Sequence, residues 1–321
     1  MKLSLLKNIY YQFYRIRTVE EDLAKKYHEQ KMRCPVHLSS GQEAVAAVFS
    51  KLVKKNDYAV STHRGHAHYL AKGGNLNKMI AEIYGKKDGC SSGKGGSMHL
   101  VDLNANFMGT TAIVGNSMPI GVGLGLSIKI KREKGISFVF LGDGAVESGA
   151  FYESLNFSAV KKLPVVFICE NNLYSVYSSL NVRQPKKRNI FKLAKEIGIN
   201  SYFCDGMDTI KVYKTLKKVV SRARKGFGPQ FIEFSTYRWR EHCGPNYDNH
   251  IGYRSEKEYI LWKKKDPFIK LKKNILYNYP KQKTNLEKIE LKIKKEVNQA
   301  FIRAQNSNFP NKSNLFKDVY A

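Results

Sequence analysis

A chain of 321 residues with 42% hydrophobic content is long enough to bury one large core or two smaller ones. Its 55 Lys and Arg against 27 Asp and Glu leave a net charge of +28, and its five cysteines (Cys34, Cys90, Cys169, Cys204, Cys243) are scattered, odd in number and never spaced as CxxC. Those counts argue against a disulfide scaffold and a zinc ribbon, and point to free thiols in a reducing compartment.

The opening MKLSLLKNIYYQFYRIR carries lysines at 2 and 7, so it lacks the ~7–15 apolar residues of a signal peptide. No later segment approaches the ~18 apolar residues of a membrane span, and a soluble, cytoplasmic protein is expected. Residues 5–30 read as a helix of mixed polarity and 41–54 as an amphipathic one. DYAVST (57–62) reads as a short strand, followed by the His-rich HRGHAH and a helix at 76–85. Residues 86–118 are rich in Gly, Ser and Asn and lack either period; a loop of that length in a compact chain is usually functional. Then come a small-residue helix (119–132), the strand ISFVFL (136–141), a helix at 147–162 and the strand PVVFICE (164–170). A helix at 190–197, a strand at 201–204, a helix at 208–225 and the strand PQFIEFSTY (229–237) complete the alternation. Residues 255–307 read as helical, and NSNFPNKSN (306–314) as disordered.

Strands apolar on both faces that alternate with helices call for a parallel sheet covered on both sides. The expected fold is α/β, a doubly wound and mainly parallel sheet, with an N-terminal helical extension (1–36), a central domain (37–254) and a C-terminal helical segment and tail (255–321). The charge leaves three readings open: a phosphate backbone, acidic protein partners, or the lysine-rich usage of AT-rich coding. Base-reading motifs are absent, which makes nucleic acid the weakest of the three. The lysine runs at 217–226, 262–267 and 288–296 fall on predicted solvated helix faces.

Ligands of open parallel sheets bind beyond the carboxyl ends of the strands. Two such places stand out, GDGA after the strand ending at Leu141 and ENN (170–172) after the strand ending at Cys169. Neighbouring strands would bring Asp143 and Asn172 together. A carboxylate and an amide oxygen form a hard-oxygen set suited to Mg²⁺ with phosphate oxygens and water, and the helix after Gly144 would add backbone N–H groups. Taken singly, each fragment is an ordinary turn; as a pair about thirty residues apart they are far more specific.

The pair resembles the signature of thiamin diphosphate enzymes, in which the Asp, the second Asn and a backbone carbonyl two residues on hold the metal; these positions are Asp143, Asn172 and Tyr174. HLSSGQEA (37–44), STHRGHAH (61–68), GKGGSMH (93–99), AIVG (112–115), KLPVVFICENN (162–172), DGMD (205–208) and TYR (236–238) occur in the order seen in alpha subunits of 2-oxo acid dehydrogenase decarboxylase components. The likeness covers about residues 10–300. It implies thiamin diphosphate and Mg²⁺ as cofactors, oxidative decarboxylation of a small 2-oxo acid such as pyruvate, and acyl transfer to a lipoyl-bearing acyltransferase. It also implies a beta subunit that supplies the activating glutamate in an α₂β₂ enzyme.

Carried over residue by residue, the resemblance places His63 and Arg64 at the diphosphate or the substrate side, and Gly144 and Ala145 at the diphosphate. Ala112 and Val114 would contact the cofactor, Val114 against its aminopyrimidine; His242 and His37 would line the reaction channel, with His242, His63 and His37 as catalytic candidates. His63 stands where pyruvate enzymes commonly carry Tyr, a form closest to the acetoin-type branch. Arg240, Glu241, Cys243 and the segment 244–254 depart from the pyruvate pattern, which keeps an acetoin dehydrogenase and a transketolase-like enzyme of sugar or surface-glycan metabolism as alternatives. Other motifs fail: GCSSGKGG (89–96) lacks the P-loop spacing, GVGLGL (121–126) lacks GxGxxG and reads as close helix packing, and His63, His66 and His68 lack a Cys or carboxylate to complete a zinc site.

Overall fold

The computed structural model describes residues 1–317. In chain order the strands are β1 (Tyr58–Thr62), β2 (Phe107–Thr111), β3 (Ser137–Gly142), β4 (Val165–Asn171), the two-residue pair β5 (Tyr174–Ser175) and β6 (Ser178–Ser179), β7 (Asn200–Asp205) and β8 (Gln230–Ser235). The helices are α1 (Leu3–Tyr27), α2 (Glu43–Phe49), α3 (His66–Lys72), α4 (Leu76–Ile83), α5 (Ser117–Ile130), α6 (Gly149–Val160), α7 (Leu180–Arg183), α8 (Ile190–Glu196), α9 (Thr209–Arg224), α10 (Glu256–Lys263), α11 (Pro267–Asn278) and α12 (Lys283–Asn306). Apart from β5 and β6, the strands form one sheet in the order β2-β1-β3-β4-β8-β7, with every neighbour parallel.

The side-chain period of two explains why the central strands read as unbroken apolar runs. Phe138, Phe140, Val166, Ile168, Ile232 and Phe234 enter the core on one face, which also holds α1, α2 and α12. Val139, Leu141, Val165, Phe167, Cys169 and Phe231 enter the core on the other, beneath α5, α6 and α8. The register pairs Leu141 with Cys169 and Gly142 with Glu170, so the turns leaving β3 and β4 emerge side by side, as the sequence predicts.

Three segments differ from the sequence expectation. The 86–118 stretch contains β2, an edge strand with two of its five residues buried and therefore no apolar signature. The His-rich stretch after β1 is the short helix α3, buried along its whole length, with His66 and His68 turned inward. Residues 306–314 are fastened rather than disordered: the Lys87 N–H donates to the Asn308 carbonyl at 3.0 Å, the Lys86 ammonium donates to the Ser307 carbonyl at 2.9 Å, and the same ammonium sits 3.8 Å from the centre of the Phe309 ring. Of the segment expected over 255–321, residues 318–321 lie outside the described ones.

Arg17 on α1 lies half-buried between Glu43 of α2 and Asp266, which caps α11, so the first helix, the sheet-covering helix and the C-terminal helices are riveted at one point. The glycines of α5 set its distance from the sheet. A Cβ at Gly121 would lie 2.2 Å from Val139 Cγ2 and one at Gly125 2.4 Å from Val165 Cγ2, whereas one at Gly123 meets nothing within 4 Å. Gly121→Val and Gly125→Val should each lower unfolding free energy by at least about 1–3 kcal/mol through overpacking. Gly123→Ala should raise it by about 0.5–1 kcal/mol from helix propensity alone; chemical denaturation of the three variants checks the contrast.

Candidate functional site

The carboxyl ends of β1, β3 and β4 converge on one cleft, lined by Thr62, His63, Arg64, Asp143, Gly144, Ala145, Asn172, Tyr174 and His242 among others. A buried polar chain runs across its floor. The Ser61 hydroxyl meets His68 Nδ1 at 2.8 Å, and His68 Nε2 meets Glu170 Oε1 at 3.2 Å while its ring stacks on Phe140. The Gln42 amide donates to Glu170 at 3.5 Å, the Asn172 amide donates to Gln42 Oε1 at 3.1 Å, and the Asn172 backbone N–H donates to Asp143 Oδ1 at 3.3 Å. With its NH₂ held by Gln42, Asn172 has its amide oxygen turned the other way, where it accepts the Tyr174 N–H at 3.1 Å.

Asp143 is 2% exposed. Burial pushes its carboxyl up from the ordinary value, against the pull of the Arg183 guanidinium and the Asn172 N–H. Arg183, at the end of α7, is ion-paired with both Asp143 and Glu147. The position beside Asp143 thus holds a positive charge, and the carboxylate and amide around it are oxygen donors. Gly144 leaves the turn narrow: a Cβ there would lie 2.7 Å from Ser175 Oγ. One expectation is corrected here. The α-helix does not follow directly on Gly144; Asp143–Glu147 forms a 3₁₀ turn and α6 begins at Gly149, because the chain must turn out of the sheet before Phe151 can reach the core.

Arg64 is a buried cation. Its guanidinium donates to the Leu38 carbonyl at 2.6 Å and to the His242 carbonyl at 3.0 Å, and it has no carboxylate partner among the described residues. Burial and the nearby Arg238 push it down to about 10. A buried charge without a counter-charge is costly, and an anion in the cleft would relieve it.

His37, His63 and His242 form a cluster whose ring centres are 4.7, 5.1 and 5.4 Å apart, with ligand nitrogens within 4.8 Å of one another. Burial and Arg64 push His63 down to about 4, His242 to about 3 and His37 to about 2, so all three are neutral at pH 7. The cluster contains His63 but neither His66 nor His68. His66 is satisfied by Glu20 and Ser97, and His68 belongs to the polar chain.

Of the residues singled out in the sequence, His63, Arg64, Val114, Asp143, Gly144, Ala145, Asn172, Tyr174 and His242 line the cleft. His37 sits behind it against His63 and His242, and Ala112 lies outside it. Gln42 and Glu170 have no role of their own in the sequence reading, yet they tie His68 to Asn172; only Glu170 carries a signal, as an acid at the end of β4, whereas Gln42 precedes α2. The loop 240–254 is folded around Asp248, which pairs with both Arg238 and Arg254, while Arg240 pairs with Glu21. The GCSSGKGG loop wraps an anion of the chain's own: Glu82 accepts the backbone N–H groups of Ser91, Gly93, Gly95 and Gly96 at 2.7–3.1 Å. All five cysteines are free thiols. Among the described residues no helix is long and apolar enough to cross a membrane.

The sequence profile of the family described as dehydrogenase E1 component matches residues 11–313. The chain is 37% identical over 311 residues to the chloroplastic pyruvate dehydrogenase E1 component subunit alpha-3 of Arabidopsis thaliana, spanning 95% of this chain and 72% of the relative. It is 36% identical over 305 residues to pyruvate dehydrogenase E1 component subunit alpha of Rickettsia felis, spanning 95% and 92%, and 36% identical over 312 residues to that of Porphyra purpurea, spanning 95% and 90%.

The histidine cluster has a pH signature. In the unfolded chain these imidazoles titrate near 6.5; in the folded chain their pKa values are depressed, so the unfolded state binds more protons below that pH. Their contribution is fully present above about 6.5 and is lost progressively as pH falls through about 4 for His63, about 3 for His242 and about 2 for His37. Melting temperatures taken between pH 7.5 and 5 should fall, and the slope should flatten in His37→Asn/His63→Asn/His242→Asn.

Proposed function

We propose, for a chain that belongs to the dehydrogenase E1 component family, that it is the alpha subunit of a thiamin diphosphate-dependent enzyme that oxidatively decarboxylates pyruvate and passes the acyl group to a lipoyl carrier. The observation that carries this reading is the buried Asp143 carboxylate beside Asn172 at the ends of β3 and β4, with a positive charge already upon it. Mg²⁺ is the cation we assign to that position, held by Asp143, Asn172 and the Tyr174 backbone in place of Arg183. Arg64 and the backbone of Gly144 and Ala145 would hold the diphosphate, which supplies the anion that Arg64 lacks. Val114, exposed at the rim, offers the apolar contact for the aminopyrimidine.

When bound, thiamin diphosphate supplies the electron sink for decarboxylation. This chain's own work is to bind, orient and handle protons. His63 and His242, neutral at pH 7 and lining the cleft, are placed to accept or donate a proton at an imidazole nitrogen, and His37 packs behind both and holds their rings. Arg64, by donating to the His242 carbonyl, positions that histidine as well as the anion.

The cleft is only half a site. It encloses about 70 Å³, well below the ~300–1,000 Å³ of a cofactor-sized pocket, and Ile113 and Val114 stand exposed at its edge. Glu170, the buried glutamate within it, is engaged by His68 and Gln42. A beta subunit therefore supplies the missing wall and the activating glutamate, and the apolar residues Ile120, Tyr152, Phe157 and Val160 on the outer face of α5 and α6 extend the surface it would cover.

Asp143→Ala and Asn172→Ala should each weaken Mg²⁺-dependent thiamin diphosphate binding by at least about tenfold, measured calorimetrically on the reconstituted enzyme. Wild-type affinity in both would sink the metal assignment. The chain alone should show no decarboxylation; with its beta partner, a comparison of pyruvate, branched-chain 2-oxo acids and acetoin should favour pyruvate with lipoyl-dependent acyl transfer.

A further inference from the structure

At the amino end of β1, on the opposite edge of the sheet from the cleft, lies a hollow of about 440 Å³. Its wall includes Gln12 and Arg15 of α1, Lys51, Lys54 and Lys55 before β1, and Lys72 at the end of α3. No acidic residue lines it. Arg15 is neutralised by Glu296, but Lys51, Lys54, Lys55 and Lys72 have no carboxylate partner within 4 Å among the described residues. Lys72 is 7% exposed and donates to the carbonyls of Lys54, Lys55 and Ala105, which locks the turn bearing the other lysines onto the hollow. The acids behind it are already engaged, Asp57 by Arg224 and Asp102 by Tyr69 and the Asn75 N–H. Gln12, 7% exposed, lies in the same wall.

Single exposed lysines are solvated and carry no argument. Here half-buried Lys51 joins exposed Lys54 and Lys55 around a concavity within the size range of small-molecule sites, on a turn that Lys72 holds with its three donors, and desolvation lowers the proton affinity of Lys51. Desolvated cations without counter-charge are costly unless an anion completes them. We propose that the hollow binds a small organic polyphosphate or other multiply phosphorylated metabolite, whose several anionic oxygens match convergent ammonium groups. A concave site of this size suits a compact polyanion better than the flat face that an acidic protein would cover. Helix α3 touches both places: His68 near its start belongs to the cleft and Lys72 at its end to the hollow. The inference does not rest on the cofactor assignment.

The test is calorimetric titration of the full-length chain with tripolyphosphate, then with ATP free of Mg²⁺, at about 0.15 M salt. Lys51→Gln/Lys55→Gln should fold as the wild type by circular dichroism and lose at least about tenfold in affinity, while Lys192→Gln/Lys195→Gln, two exposed lysines of α8 outside both the hollow and the cleft, should lose less than about twofold. Loss in Arg64→Gln with none in Lys51→Gln/Lys55→Gln would assign the binding to the cleft, and equal loss in the two lysine pairs would make it a diffuse charge effect; either overturns the proposal. So would an absence of binding, or tighter binding of a poly-glutamate peptide than of tripolyphosphate. Binding of ATP as tight as tripolyphosphate supports an organic ligand; binding of tripolyphosphate alone supports an inorganic one of the same chemistry.

Discussion

The desolvated carboxylate of Asp143 is the constraint on which the rest of the site depends. A 2%-exposed aspartate at a strand end persists as an anion only if a cation and hydrogen-bond donors surround it. The parallel register of β3 and β4 delivers one donor, the Asn172 N–H, and the turn through α7 delivers the cation, Arg183. The same register fixes Asn172 through Gln42, and Gln42 through Glu170 and His68. Each member of that chain is satisfied by the next, so no single side chain can turn without leaving a buried polar group unpaired.

Helices far from the cleft hold this chain in place. Gln42 precedes α2, which is anchored by buried Glu43 pairing with Arg17 of α1, and Arg17 pairs in turn with Asp266 before α11. His66 and His68 share α3, and His66 is pinned by Glu20 of α1 and Ser97 of the glycine-rich loop. The first helix therefore does more than cover the sheet: its buried Glu20 and partly buried Arg17 position the elements whose neighbours line the cleft.

What the sequence made legible follows a physical rule. The alternation of strands and helices was readable because β3, β4 and β8 are apolar on both faces, and the site was readable because carboxyl ends of parallel strands are where ligands bind. Asp143 and Asn172 announced themselves by residue type beside strand ends. β2 did not, since an edge strand of Phe, Met, Gly and Thr with three half-buried residues has no periodic signal. α3 did not, since buried histidines with partners mimic a polar surface turn in sequence. The fastening of residues 307–309 depends on Lys86 and Lys87, more than two hundred residues away, and no local pattern encodes such a contact.

Two glycine-rich turns in this chain show how backbone donors come to serve different ends. In GCSSGKGG the N–H groups close on Glu82, a carboxylate of the fold itself that is fully buried. That loop is complete and has no vacancy for phosphate, which is why it resembles a phosphate loop without the matching spacing. In GDGA the roles are reversed: the acid lies in the turn, the counter-charge comes from outside it, and Arg64 close by remains a buried cation with no anion of its own. In the first turn the fold supplies both the donors and the anion; in the second the acid is met by Arg183 from outside the turn, and Arg64 is left without a carboxylate partner among the described residues. The proposed Mg²⁺–diphosphate pair would place the metal in the position Arg183 occupies at Asp143 and the anion beside Arg64. The small enclosed volume of the cleft and the exposed apolar rim beside it fit the proposal that a beta subunit would complete its wall.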